Sequence, residues 1–162
     1  MLVALRRLIP ARRFLSSQAS PLVLVDREVV QGGSLSIDCS KVQCRVNLDV
    51  TTCWNDRCTI SHGNESHGPK PQLHIEREDE GSVVLTASAA EVDLSGRVFS
   101  LQAFIPEQFN LRAILPSGHL NVINKLKGTT HLATGSGNIT SGTIRGESIS
   151  ITAGDGDVKV RE

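Results

Sequence analysis

The chain has 162 residues with 17 basic and 17 acidic side chains, yet four of the bases and none of the acids fall within residues 1–15. The remaining 147 residues carry thirteen bases against seventeen acids, a net charge of minus four, which argues against nucleic acid because phosphate backbones demand a basic footprint. Aromatics are 3% of the chain, with no tyrosine and a single tryptophan, Trp54, so the stacking platforms of single-strand binders are scarce as well.

The first fifteen residues stand apart from the rest. Arg6, Arg7, Arg12 and Arg13 alternate with Leu2, Val3, Leu5, Leu8 and Ile9, and the first acid is Asp26. An arginine-rich, acid-free, amphipathic start with Ser16 and Ser17 behind it predicts an organelle transit peptide over residues 1–15. Arg13-Phe14-Leu15 before Ser16 has the arginine-at-minus-three pattern of matrix processing, so the expected location is mitochondrial, in the matrix. The arginine pairs interrupt any apolar run of secretory-signal length, and no stretch approaches the roughly 20 apolar residues of a membrane span.

Residues 16–96 are expected to form a less regular β region. Leu22–Val25, Leu35–Cys39 and Val42–Val50 alternate as strands do, with Val42, Cys44, Val46, Leu48 and Val50 on one face. Residues 61–72 are polar and rich in glycine and proline, hence a loop; Leu73–Ile75, Val83–Ala87 and Val98–Phe104 resume the pattern, with Glu76–Gly81 as a charged turn. No amphipathic helix is found beyond the first fifteen residues.

Residues 97–162 repeat. Ser117-Gly118-His119-Leu120-Asn121-Val122 returns nineteen residues later as Ser136-Gly137-Asn138-Ile139-Thr140-Ser141, and nineteen later again as Asp155-Gly156-Asp157-Val158-Lys159-Val160. Leu126-Lys127-Gly128 is answered by Ile144-Arg145-Gly146 at a step of eighteen, a slip that a turn absorbs and a strand does not. A unit of about 19 residues has room for two or three short strands and no helix, and one coil cannot bury its own apolar face. Stacked units would place Leu120, Ile139 and Val158 in one interior ladder and Leu132 above Ile151 in another, with Gly118, Gly137 and Gly156 at a corner that needs positive φ.

Phe104-Ile105-Pro106, Leu111-Arg112-Ala113 and the run from Leu115 to Thr140 resemble the β-strand-repeat family labelled "putative adhesin", whose units carry an aliphatic-proline entry and repeated [ST]-G-[DN]-[IV] segments joined by a Leu-x-Gly turn. The form this chain looks most like is the one found in animal proteins with mitochondrial presequences. The resemblance spans about residues 97–161 and implies a right-handed, single-stranded β-helix, with no particular activity attached. The fold expected is thus an all-β chain, a β-solenoid preceded by the irregular N-terminal half, in one domain. Its pattern stops in mid-unit after Val160, as a short isoform, a fragment, or an edge meant for a partner would.

Cys39, Cys44, Cys53 and Cys58, spaced C-x4-C-x8-C-x4-C and followed by His62 and His67, are the strongest chemical candidates. Their spacing sits at the upper edge of tetrahedral zinc sites, an oxidising compartment would permit two disulfides, and a reducing matrix would keep thiols. Cys39 and Cys44 fall on apolar strand faces, as small buried hydrophobes do, which favours free core thiols. Of the histidines at 62, 67, 74, 119 and 131, His119 shares an outward column with Asn138 and Asp157. Asp155-Gly156-Asp157 echoes a calcium turn without the nine-residue calcium repeat, and Gly135-Ser136-Gly137 lacks the third glycine of a dinucleotide loop. No serine or cysteine sits in a nucleophile-elbow context, and Asn64-Glu65-Ser66 and Asn138-Ile139-Thr140 are glycosylation sequons only in a secreted chain.

The expected function is accordingly a non-catalytic interaction or scaffold module. It has no catalytic, cofactor-binding or metal-ligating residue and no cofactor, its partner is an unidentified protein, and edge-to-edge association through the C-terminal coil is open to it. The alternatives are zinc binding through the four cysteines, or a β-helix enzyme acting on a polymer.

Overall fold

Apolar–polar alternation marks most of the elements, and among the described residues every regular element is a strand. The computed structural model describes residues 22–62, 71–88, 94 and 96–161; the expected transit peptide, His67 and the Asn64-Glu65-Ser66 sequon lie outside the described residues. The strands are β1 (Leu22–Glu28), β2 (Ser34–Asp38), β3 (Arg45–Cys53), β4 (Arg57–His62), β5 (Gln72–Glu78), β6 (Ser82–Ser88), β7 (Val98–Pro106) and β8 (Asn110–Leu115). After them come β9 (Leu120–Ile123), β10 (Leu126–Lys127), β11 (Thr130–Thr134), β12 (Ile139–Ser141), β13 (Ile144–Arg145), β14 (Ile149–Ala153) and β15 (Val158–Val160).

Three sheets result: seven strands in the order β1-β4-β7-β3-β9-β12-β15, six in the order β14-β11-β8-β2-β6-β5, and the pair β10-β13. The two larger sheets are mixed, because β4 pairs antiparallel with β1 and β7, and β5 antiparallel with β6, while the other ladders run parallel. Their inward residues Leu35, Ile37, Leu48, Ile60, Leu85, Leu101 and Leu120, with Phe109 from the β7–β8 connection, belong to one apolar core.

The parallel ladders of the C-terminal third keep the repeat's register. Ile139 pairs with Leu120 on one side and Val158 on the other, Leu132 pairs with Ile151, and Leu126 with Ile144. Gly118, Gly137 and Gly156 adopt φ of 118°, 128° and 143° at one corner. A Cβ there would strike the carbonyl oxygen one strand below, that of Val46, Gly118 and Gly137 respectively, so the column demands glycine both for conformation and for close approach.

The N-terminal half is more regular than its sequence suggests. β3 pairs in register with β9, Leu48 against Leu120, and β2 with β8, Leu35 against Leu111, so strands from residues 34–53 extend the same columns downward. β4 was not among the expected strands, and β5 continues to Glu78, shrinking the charged turn to residues 79–81. Both hide from periodicity for physical reasons. β5 is an edge strand exposed at His74, Glu76, Arg77 and Glu78, the charged dressing that edge strands use, and Thr86 Oγ1 on β6 donates to Glu76 Oε1 at 3.0 Å. β4 breaks the alternation because Ile60, Ser61 and His62 are all buried.

Candidate functional site

The cysteines come first. Cys39 and Cys58 are fully buried, Cys44 nearly so, and Cys53 is half-buried at the end of β3; all four are free thiols. Burial pushes the Cys39 thiol up to about 12, helped by the Asp38 carboxylate and by Cys44, and pushes Cys58 up to about 12 with help from Glu78. Burial raises Cys44 as well. Thiols held neutral this firmly are poor nucleophiles, which act as thiolates. His62 packs its ring against Phe99, with centroids 5.7 Å apart, on the buried stretch of β4. Among the described residues no group of three His, Cys, Asp or Glu is placed to hold a metal ion.

The column of His119, Asn138 and Asp157 is built as a hydrogen-bond ladder. Asn47 Oδ1 accepts from the His119 N–H at 3.0 Å, His119 Nδ1 from the Asn138 N–H at 3.4 Å, and Asn138 Oδ1 from the Asp157 N–H at 2.9 Å. All three residues are exposed, but His119 and Asn138 turn a polar atom back onto the backbone one step further along the column. Asn110 plays the same part at another corner, where its Oδ1 accepts from the Thr129 N–H at 2.8 Å. These side chains serve stacking, and they leave no convergent set of acids or bases on this face.

Two surface features remain. At the outermost strands the interior ladders come into the open: Leu120 and Ile139 are buried, whereas Val158 is 43% exposed; Thr130 is buried, whereas Ile149 is 46% exposed. At the turn between β3 and β4, Trp54 stands almost free of the protein. The sequence marks the tryptophan only as a rarity, and nothing in its periodicity says that it points outward, since turn residues have no period.

No family model matches the chain, and no curated protein does. Among solved structures it is similar to a protein described as a "putative cell adhesion protein" from Clostridium sporogenes, at 14% identity over 88% of this chain and 99% of that one, with a TM-score of 0.42. The word adhesion is common to that description and to the family label above; a likeness this distant decides nothing further about this chain. Among the described residues no helix is long and apolar enough to cross a membrane.

Proposed function

We propose that the chain is a non-catalytic interaction module of the mitochondrial matrix, whose residues 97–162 form a right-handed, single-stranded β-solenoid that binds protein by taking a further β strand on its last coil. The observation that carries the reading is the exposed end of the ladders. Val158, Val160 and Ile149 lie in register on buried partners (Ile139, Ser141 and Thr130) while their own other side is open. β14 and β15 are edge strands, and an edge with apolar side chains and unpaired backbone groups is a template for strand addition. The arginine-rich, acid-free residues 1–15 support the matrix address.

Affinity capture from mitochondria tests the reading, comparing the native chain with a Val158→Asp/Val160→Asp variant. Both positions are exposed, so the variant should fold, and it should lose the captured protein. Capture that survives the variant refutes strand addition at this edge. Import into isolated mitochondria followed by N-terminal sequencing tests the address: removal of about 15 residues is expected, and an uncleaved product left outside the organelle refutes it.

A further inference from the structure

The chain's single tryptophan sits where apolar side chains seldom sit. Trp54 is 93% exposed, while Phe99 and Phe109 are buried in the core. A fully solvated indole forgoes the largest apolar burial any side chain has to offer. Its support is fixed. The Val29 N–H donates to the Asp56 carbonyl at 3.0 Å, the Gln31 amide donates to the Asp56 carboxylate, and the Glu107 N–H donates to the Cys53 carbonyl at 3.2 Å. The indole is therefore presented on an anchored turn.

Apolar company stands nearby. On the outer face of the seven-stranded sheet Thr51 is flanked in register by Phe104, 39% exposed, and Ile123, 40% exposed, and Trp54 follows three residues after Thr51. Two grooves adjoin here and share Asn124 and Lys125. One, of about 420 Å³, is lined by Cys53, Trp54, Glu107 and Lys127; the other, of about 770 Å³, by Ile123 and Arg161. The chain between them is pinned to β3, since Thr52 Oγ1 donates to the Lys125 carbonyl at 2.8 Å and Asn124 Nδ2 to the Thr52 carbonyl at 3.2 Å. Among the described residues the linings of the two grooves carry Lys125, Lys127 and Arg161 against one carboxylate, Glu107, which is 3.0 Å from Lys127 and 3.9 Å from Lys125. The corner is thus locally cationic on a body whose net charge is minus four.

We infer that this corner is a docking surface for a protein segment that carries an apolar side chain among carboxylates. Exposed aromatics on rigid supports are the residues that dominate binding energy at protein interfaces, and the surplus of ammonium and guanidinium groups selects an acidic partner. The negative body disfavours a long polyphosphate chain, which would have to lie along it. The inference rests on the corner and not on the exposed ladder of the last coil.

Because Trp54 is the only indole, its fluorescence reports the corner directly. Three synthetic eight-residue peptides serve as probes: one with two leucines among glutamates, one with the same leucines among lysines, and one with serines replacing the leucines among glutamates. Expected are a blue shift of the emission with the first peptide and binding at least about tenfold weaker for the other two. By anisotropy of the labelled first peptide, Trp54→Ala and Lys125→Gln/Lys127→Gln should each weaken binding at least about tenfold, the loss typical of a central anchor. Urea melts of both variants establish that they fold. Val158→Asp, which leaves Val160 and Arg161 in place, should bind the peptide unchanged, which separates this inference from strand addition at the last coil. Equal binding of the lysine peptide, binding that survives Trp54→Ala, or a chain that self-associates with Trp54 already buried would each overturn it. So would an emission shift obtained with anionic vesicles and with none of the peptides.

Discussion

Placing a carboxylate at position 139 probes the stacked register more sharply than any other single change. Ile139 is wholly buried, with Leu120 beneath it at 1% exposure and Val158 above it at 43%. Its N–H donates to the Asp157 carbonyl at 2.9 Å and the Leu120 N–H to the Asn138 carbonyl at 3.0 Å, so the position is held from both sides. Ile139→Asp forfeits about 1.5–3 kcal/mol of apolar burial. An unpaired ionised group between two aliphatic layers costs several kcal/mol more, reduced here because water reaches past the half-open Val158. A total of about 4 kcal/mol is expected, a large share of the roughly 5–15 kcal/mol that holds a domain together. Asn138→Asp is the matched control. It retains the oxygen that accepts from the Asp157 N–H and adds only a like charge beside an exposed Asp157, so a change within about 0.5 kcal/mol is expected. Val158→Asp should resemble the control, since its side chain already meets water. Urea melts of the three variants give the ordering. Equal damage at 138 and 139, or a harmless Ile139→Asp, would refute the inward assignment of position 139 and the ladder built on it.

Ser141, itself buried, lies in the row Val50–Val122–Ser141–Val160, and its hydroxyl has no hydrogen-bond partner among the described residues; Ser141→Val should stabilise the chain by about 1–2 kcal/mol, and a lowered urea midpoint would contradict this. His119→Asn should raise stability by about 0.5 kcal/mol, because the histidine contact at 3.4 Å is the longest step in a ladder that asparagine makes at 3.0 and 2.9 Å; a fall in the midpoint would count against the ladder. In native protein at pH 8 a thiol reagent should modify Cys53 ahead of Cys39 and Cys58, whose pKa of about 12 leaves roughly one thiolate in ten thousand at that pH. The same two thiols bear on alkaline stability. Raised from an ordinary 9.0, they stay protonated when folded, so their contribution is complete below about pH 9 and is lost as the pH rises towards 12. An unfolding midpoint that holds steady across that window would show them to be less buried than described.

The C-terminal columns were legible because each position is written three times. Leu120, Ile139 and Val158 differ as residues but agree in character, and the glycine before each histidine, asparagine or aspartate marks the corner without ambiguity. In the N-terminal half β2 and β3 join the same columns, yet their sequences are written once each and interrupted by longer loops, so no internal comparison exposes them. Val46 and Leu48 alternate just as Leu120 and Val122 do; what the sequence lacks is any sign that Leu48 pairs with Leu120 across more than seventy intervening residues. The two antiparallel strands β5 and β4 were obscured differently, the edge strand β5 by its protective charges and the internal strand β4 by burial on both faces around Ser61 and His62. Alternation marked Cys39 and Cys44 as inward, and both are buried, each just outside its strand; it marked neither Cys53 nor Cys58. Trp54 was invisible as a surface feature, because a turn residue's direction is set by the anchors around it, here Asp56 and Cys53.

Inward and outward positions carry different kinds of information in this chain. Going up the ladder from Leu120 through Ile139 to Val158, or up the corner from Gly118 through Gly137 to Gly156, the chemistry is constant, because each position must fit the one below it. Beside them the outward row Asp49, Asn121, Thr140 and Lys159 passes from an acid through two neutral residues to a base, with no constraint visible from one strand to the next. A fold of this type can therefore change its surface at almost any outward position without disturbing its stacking. Recognition should then concentrate where the repeat is broken, since only there can a side chain too large for a column be held in a fixed place. The β3–β4 turn is such a break: its backbone carbonyls accept from the Val29 and Glu107 N–H groups, the Asp56 carboxylate accepts from the Gln31 amide, and it presents the chain's largest side chain to solvent.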